Sequence, residues 1–333
     1  MHKRREIDAV NVILCLLVML IHILSGAVSA LDRTGMRFAA VFIPSRLASF
    51  VVQGFIFLSA LKYFMRIESF DYKKFLASRL KTIVIPYVLW NVIYYFALMR
   101  IGYFIFDIKE LVRYILVGNM ISHFYFVVVI IQFYLLMPLW ITLVKKVDWK
   151  ILVPISLIVM IVFGQYIGAG FRYNDRVFLK YIFYWICGCY AGLNYDGVMQ
   201  KAKEYRKGII VMFIFFSLAD GILTWINASG RAEIVGLENI HIVYCITAIL
   251  FIFTVLLWKS GKSVEKGIFG IISRQSYNIY LSHCLILYYA DWFNQWHIGL
   301  APLGLLLFRA LCCYGGTLVL WGAYDCIKRL KNA

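Results

Sequence analysis

The sequence predicts an all-α integral membrane protein of about ten transmembrane helices with both termini in the cytoplasm. Three observations predict it. Of the 333 residues, 63% are hydrophobic and 15% charged, whereas water-soluble chains carry about half apolar and about a quarter charged residues. The polar residues fall in short clusters between apolar runs of about 20 residues, the length that crosses a bilayer core. Lys and Arg concentrate in alternate connections, the asymmetry that marks cytoplasmic loops.

Met1-His2-Lys3-Arg4-Arg5 followed by an apolar stretch has the look of a signal peptide. The stretch from Ala9 is too long for that, and no small-residue cleavage site follows, so a retained first helix is expected. Apolar windows then place helices at 9–30, 40–64, 82–101, 122–144, 151–170, 177–196, 208–227, 240–258, 275–292 and 300–325. Helix is the conformation expected at these lengths, because a segment in lipid must satisfy its own backbone hydrogen bonds. The stretch 102–121 carries Asp107, Lys109, Glu110 and Arg113 and is too charged to span. It is expected to lie as an amphipathic segment on the outer surface.

With the N-terminus inside, the inner segments hold Lys3, Arg4 and Arg5, then Lys62, Arg66, Lys73, Lys74, Arg79 and Lys81, then Lys145, Lys146 and Lys150. Lys201, Lys203, Arg206 and Lys207 follow on the same side, as do Lys259, Lys262, Lys266 and Arg274, and finally Lys328, Arg329 and Lys331. The outer segments keep only scattered cations such as Arg33, Arg37, Lys109, Arg113, Arg172, Arg176 and Arg231. The net charge of +17 is thus read as topology. A nucleic-acid partner is excluded, because no water-exposed domain is long enough to carry a basic patch. Without internal repeats or low-complexity linkers, residues 1–333 are expected to form one membrane domain. The eight cysteines show no metal-type CxxC pairs and fall mostly in apolar runs, so they are read as small buried hydrophobes, and no metal site is expected.

Ionisable groups at membrane depth are costly to keep and are functional candidates by default. His22 stands 14 residues beyond Asp8 in the first helix, roughly 20 Å along the axis. A neutral imidazole there can take a proton from a hydroxyl, or it can simply hydrogen-bond a neighbouring helix. Arg79 and Lys81 sit two residues apart where the third helix enters from inside. That pair suits phosphate groups, though cytoplasmic anchoring accounts for it equally. Arg46, Gln53, Ser59, Asn91, His123, Gln132, Gln165, Asp220, His241, His283 and Arg309 are further polar residues within apolar windows. Most are expected to join helices through hydrogen bonds; the histidines and Arg46 are the functional candidates among them. His22, His123, His241 and His297 map to the outer half and His283 near mid-depth, while the dense cations lie inside. An anionic donor would be drawn to the inner face, and a hydroxylic acceptor would meet imidazoles nearer the outside.

Five stretches carry a family resemblance. Asp8-Ala9-Val10-Asn11 with His22 eleven residues later, Gly54-Phe55-Ile56-Phe57-Leu58-Ser59, Arg79 through Tyr87, Ser122-His123-Phe124-Tyr125-Phe126 with Tyr134 to Pro138, and Ser276 through His283 occur in register. Together they resemble the bacterial membrane acyltransferase family 3, and the spelling is similar to its subgroup associated with intercellular-adhesin polysaccharide. The resemblance implies transfer of an acyl group, usually acetyl, from acyl-coenzyme A to a hydroxyl of an extracytoplasmic or lipid-linked glycan, at a bacterial cytoplasmic membrane. It implies no permanently bound cofactor, only acetyl-CoA or another acyl-CoA as donor substrate. His22 would be the catalytic base. Arg79, with Lys81, would help hold the donor, and His123, Tyr125 and His283 would line the reaction chamber.

The chain also departs from the family pattern. Asn11 stands where the family usually has arginine, Gln53 where proline is common, Ala60 in place of a glycine and Tyr125 in place of tryptophan. The first-helix arginine would be a donor contact or a structural pair, so its loss bears on catalytic competence; Arg46 is the candidate electrostatic substitute. Two other readings stand beside the enzyme. One is an exporter or scaffold of a polysaccharide-synthesis machine. The other is a proton-coupled transporter, against which stands the lack of an inverted repeat or a helix broken by Gly-Pro at mid-membrane.

Overall fold

The computed structural model describes residues 5–258 and 267–331. Lys3, Arg4, Lys259, Lys262 and Lys266, which contribute to the predicted inner charge, lie outside the described residues. Among those described, every regular element is helical. In chain order these are α1 (Arg5–Ala30), α2 (Met36–Ala48), α3 (Val51–Phe64), α4 (Tyr72–Arg79), α5 (Ile85–Arg100), α6 (Ile108–Val117), α7 (Tyr125–Leu135) and α8 (Met137–Lys146). They continue as α9 (Trp149–Val162), α10 (Ile182–Leu193), α11 (Tyr195–Glu204), α12 (Arg206–Ala228), α13 (Leu237–Trp258), α14 (Gly267–Phe293), α15 (Pro302–Ala310) and α16 (Gly316–Lys331).

Among the described residues, seven stretches of continuous helix are long and apolar enough to cross a membrane: Glu6–Ala30, Met36–Phe64, Tyr72–Arg100, Trp149–Ile167, Arg206–Ala228, Leu237–Val255 and Pro302–Lys331. The pair α7 and α8, bent by 60°, makes eight if taken as one broken span. By length and composition the described residues of this multi-pass helical protein thus hold seven to eight candidate spans, against the expected count of about ten. The difference lies in two windows. Residues 177–196 form the short apolar helix Phe178–Leu193, and 275–292 fall within α14. That helix has the length, but it buries Gln275, Ser282 and His283 and is not among the apolar candidates. A helix whose polar groups are sheltered by neighbours has less need of a continuous apolar surface.

Proline explains the bend after α7. Pro138 has no N–H to offer and its ring crowds the preceding turn. The Phe133 carbonyl near the break is taken by the indole N–H of Trp140 at 3.0 Å, so the bend leaves that buried acceptor satisfied. Pro86 acts in the same way one span earlier. Between α4 and α5 the backbone widens into a π-turn over Leu80–Val84, with the Ile85 N–H donating to the Leu80 carbonyl. The widened turn keeps one continuous helix while accommodating the ring. The segment 102–121, predicted too charged to span, contains only the ten-residue α6. Asp107 caps it by accepting from the Lys109 N–H at 2.8 Å, and left-handed Gly118 ends it.

The helices group into two compact units, residues 1–54 with 197–333, and residues 55–196. In the first, α1 is surrounded by α2, α13, α14 and α15, and α12 pairs with α13 and α2. Its loops are pinned as well: the Arg231 guanidinium donates to the Thr34 carbonyl at 2.9 Å, and two hydrogen bonds from Thr34 hold the Asp32 carboxyl below the usual carboxylate range. In the second unit, α10 packs against α9 and α8, and against α3 through two glycines. A Cβ on Gly188 would collide with the Phe57 carbonyl oxygen, and one on Gly192 would lie 2.7 Å from the Leu61 carbonyl oxygen. Such close backbone approach is how helices gain van der Waals contact where lipid removes the hydrophobic drive. Because the obstacle is backbone, Gly188→Ala is expected to cost about 1–3 kcal/mol of stability, the range for overpacking. Unfolding of the purified protein in mixed micelles measures it, and an unchanged midpoint would show that the helices can part without loss.

Of the eight cysteines, Cys15, Cys189, Cys245, Cys284 and Cys313 are buried, Cys187 and Cys312 partly so, and Cys326 is exposed; none is in a disulfide. The reading of cysteines as buried hydrophobes thus holds for most, with Cys326 the exception.

Candidate functional site

In the first unit, α1 and α14 bring His22 and His283 together, with ring centroids 5.2 Å apart and planes tilted at 53°. His283 is wholly buried. Its Nδ1 faces the Ile279 and Tyr280 carbonyl oxygens at 3.1 and 2.9 Å. Carbonyls only accept, so Nδ1 must carry the proton, which leaves Nε2 as the acceptor of the neutral ring. The His22, His283 and Cys284 donor atoms lie within 4.8 Å of one another, a set that could hold a soft divalent ion as well as pass a proton.

Arg309 fixes the backbone beneath His22. From α15 it donates through Nε to the Ile23 carbonyl at 3.0 Å and through Nη2 to the His22 carbonyl at 2.5 Å, while Nη1 bonds Asp291 of α14. Ser25 donates to the same His22 carbonyl at 2.7 Å. Gly26 makes room for this, since a Cβ there would lie 2.9 Å from Arg309 Nη1. One guanidinium therefore joins three helices around His22. Sequence reasoning counted Arg309 among packing residues and overlooked Asp291. A lone arginine in the last apolar window, with a lone aspartate at the end of the one before, was the available signal.

Asn11, at the position of the family's arginine, donates to the Ser276 hydroxyl at 2.8 Å. It thus ties the first signature stretch to the last. Arg46 is matched to a carboxylate of another helix. Its guanidinium forms a two-pronged pair with Asp220, Nε to Oδ2 at 3.0 Å and Nη2 to Oδ1 at 2.9 Å. Asp220 also faces His241 Nδ1 at 3.0 Å. The expectation that Arg46 replaces the missing arginine as a donor contact therefore meets a cation already matched to a buried carboxylate.

In the second unit, Arg79 ends α4 where the π-turn begins. Its Nη1 donates to the Tyr63 hydroxyl at 2.7 Å and Nη2 to the Ser78 hydroxyl at 3.0 Å. Tyr63, Phe75 and Tyr134 form a three-ring cluster, edge to face at 5.1 to 5.5 Å, and the guanidinium carbon lies 5.5 Å from the Tyr63 ring centre. The Tyr63 hydroxyl is further bonded to Tyr134, and Tyr134 to Ser59. The Arg79 Nε is buried without an acceptor in the protein. An anionic oxygen would satisfy it, and a buried orphan donor is rare enough to call for an account. Lys81 is exposed on the π-turn. His123 is buried against the Phe124 ring at 4.9 Å, and Tyr125 bonds Tyr181.

A family model described as an acyltransferase domain matches residues 4–324. The chain belongs to acyltransferase family 3. It is 25% identical over 95% of its length, and 93% of the relative's, to a Staphylococcus aureus (strain Mu50 / ATCC 700699) protein named "Probable poly-beta-1,6-N-acetyl-D-glucosamine export protein". It is 26% identical over 95% of its length, and 90% of the relative's, to the Bacillus subtilis (strain 168) protein named "Putative membrane-bound acyltransferase YfiQ". No solved structure matches the chain. Acyltransferase family membership and the apolar helices together make this a multi-pass membrane protein of an acyl-transferring family.

Proposed function

We propose that this family member transfers an acyl group, acetyl in the first instance, from acyl-CoA on the cytoplasmic side to a hydroxyl of an extracytoplasmic or lipid-linked glycan. In this reading it has about ten spans with both termini inside, and resides in a bacterial cytoplasmic membrane. The observation that carries it is the His22–His283 imidazole pair set in an apolar helix body, with the His22 backbone held by Arg309. His22 takes the proton of the acceptor hydroxyl as that oxygen attacks the thioester carbonyl; the carbon–sulfur bond then breaks, and the departing coenzyme A thiolate takes the proton back from His22, directly or by way of His283. Helices that keep water away protect the thioester from hydrolysis. Arg79, whose Nε awaits an acceptor, and Lys81 bind the donor's phosphates. His123 and Tyr125 contribute to the acceptor's chamber.

Proteoliposomes supplied with labelled acetyl-CoA and a poly-N-acetylglucosamine or teichoic-acid acceptor test the reading. Label in the glycan, lost in His22→Ala, is expected; no transfer, or equal transfer by the variant, would remove it. Tyr63→Phe addresses the donor site separately. Loss of one hydrogen bond to a charged partner, about 1.5–3 kcal/mol, should raise the KM for acyl-CoA at least tenfold with little change in kcat. An unchanged KM would place the donor elsewhere.

The names of the Staphylococcus aureus relatives favour a second reading, export of a polysaccharide. A deletion strain that loses surface glycan while its acylation stays normal would support that reading over the enzyme.

A further inference from the structure

We propose that Ser49, His241 and Asp220 form a second reaction centre, a serine nucleophile that accepts an acyl group from an activated ester or thioester as a covalent serine ester. The His22 site plays no part in it. The geometry is that of a nucleophile, a base and an orienting carboxylate. Asp220 Oδ2 lies 3.0 Å from His241 Nδ1, and His241 Nε2 lies 3.4 Å from both the Ser49 hydroxyl and the Cys245 thiol. Spacing of this kind, slightly loose at the nucleophile, is usual before substrate binds. Arg46 holds both oxygens of Asp220 and shares Oδ2 with the imidazole, so the carboxylate is anchored.

The surroundings favour chemistry over simple helix joining in two ways. First, Arg46, Asp220 and His241 are three ionisable groups gathered among apolar spans, and Asp220 is wholly buried, an expensive arrangement when one neutral hydrogen bond would join the helices. Second, the serine sits at a break. The span Met36–Phe64 is interrupted at Ser49-Phe50, between the end of α2 and the start of α3, and interrupted backbone at membrane depth is tolerated where it borders protein or a cavity rather than lipid. Ser49 is only partly buried.

In the resting state the Ser49 hydroxyl donates to the Arg46 carbonyl at 2.6 Å. Rotation about its Cβ–Oγ bond turns the proton to His241 Nε2 without moving a heavy atom. The oxygen then adds to the acyl carbonyl, the proton passes to Nε2, and the tetrahedral adduct collapses with cleavage of the carbon–sulfur or carbon–oxygen bond. The leaving thiolate or alkoxide takes the proton back. A hydroxyl or water, deprotonated by His241, later attacks the serine ester and restores Ser49.

The test is labelling of the full-length protein in nanodiscs by a biotinylated fluorophosphonate, whose phosphorus is attacked by an activated serine with loss of fluoride. It needs neither acyl-CoA nor glycan, so it succeeds or fails independently of the acetyl-transfer assay. The expected result is an adduct on the Ser49 peptide by mass spectrometry, abolished in Ser49→Ala and slowed at least tenfold in His241→Gln. No adduct on Ser49, an adduct on Cys245 instead, or an unchanged rate in a folded His241→Gln variant would overturn the proposal. If that variant fails to fold, the wild-type labelling rate decides. It should exceed that of the protein's other serine peptides at least tenfold, and labelling no faster than at Ser217 would likewise overturn the assignment.

Discussion

Replacing His22 with alanine is expected to lower acyl transfer by about 10²–10⁴-fold, the contribution of a positioned general base, while the KM for acyl-CoA stays within about twofold. The acceptor hydroxyl cannot attack a thioester until its proton has somewhere to go, and the imidazole that His22 meets in this unit is that of His283. The His283 ring is held by its own carbonyl contacts with Nδ1 protonated, which leaves Nε2 to take the proton on from His22. His22→Gln keeps a hydrogen-bonding side chain of similar length without a titratable nitrogen and should be as inactive as alanine. Initial rates in proteoliposomes measure both variants. A loss under tenfold in either would mean that another group accepts the proton.

Removing Arg309 should be almost as damaging, for a different reason. Arg309→Ala is expected to cost about 3 kcal/mol of stability. That is the low end of what breaking a buried ion pair costs, because Asp291 retains 33% exposure and keeps some solvation when its partner is gone. The variant loses both the bond to Asp291 and the two donations that hold the Ile23 and His22 carbonyls. Activity should therefore fall further than stability alone predicts, as the imidazole loses its fixed position. Arg309→Lys restores charge but not the fork that reaches three acceptors at once, and should recover stability better than rate. Gly26→Ala reaches the same cation from α1 by pushing on Nη1. A Gly26→Ala protein with wild-type rate would show that the clamp on α1 does not set the geometry of His22.

Several features of this molecule could be read directly along the chain. The all-helical, multi-pass character follows from apolar runs whose length matches a bilayer, because in lipid the backbone has few other ways to satisfy itself. Family membership could be read from short stretches such as Ser276 to His283. The count of spans was less legible. Window hydropathy treats α7 and α8 as one segment, although Pro138 bends them by 60°. It also scores α14 by residues 275–292 without showing that its polar groups are sheltered by other helices.

At the candidate site, His22 and Arg79 stood out because a charge or imidazole is rare in such surroundings. Their partners did not. Arg46, Asp220 and His241 were each visible as polar residues in apolar windows, yet Arg46 and Asp220 are 174 positions apart. No periodicity links residues at that separation. Arg309 and His22 are 287 apart, so a packing arginine and a clamp beneath a catalytic candidate look identical until the helices are assembled.

Sequence by itself determined the solvent of this protein, its helical class and its acyltransferase family, because those depend on hydrophobicity summed over windows and on short local spellings. The tertiary structure alone decided which buried polar groups meet: His22 with His283, Arg309 with Asp291 and the α1 carbonyls, Arg79 with Tyr63, and Arg46 with Asp220 and His241. A buried charge or imidazole is tolerated only beside its partner, and that partner is chosen by how helices distant in the chain pack in space.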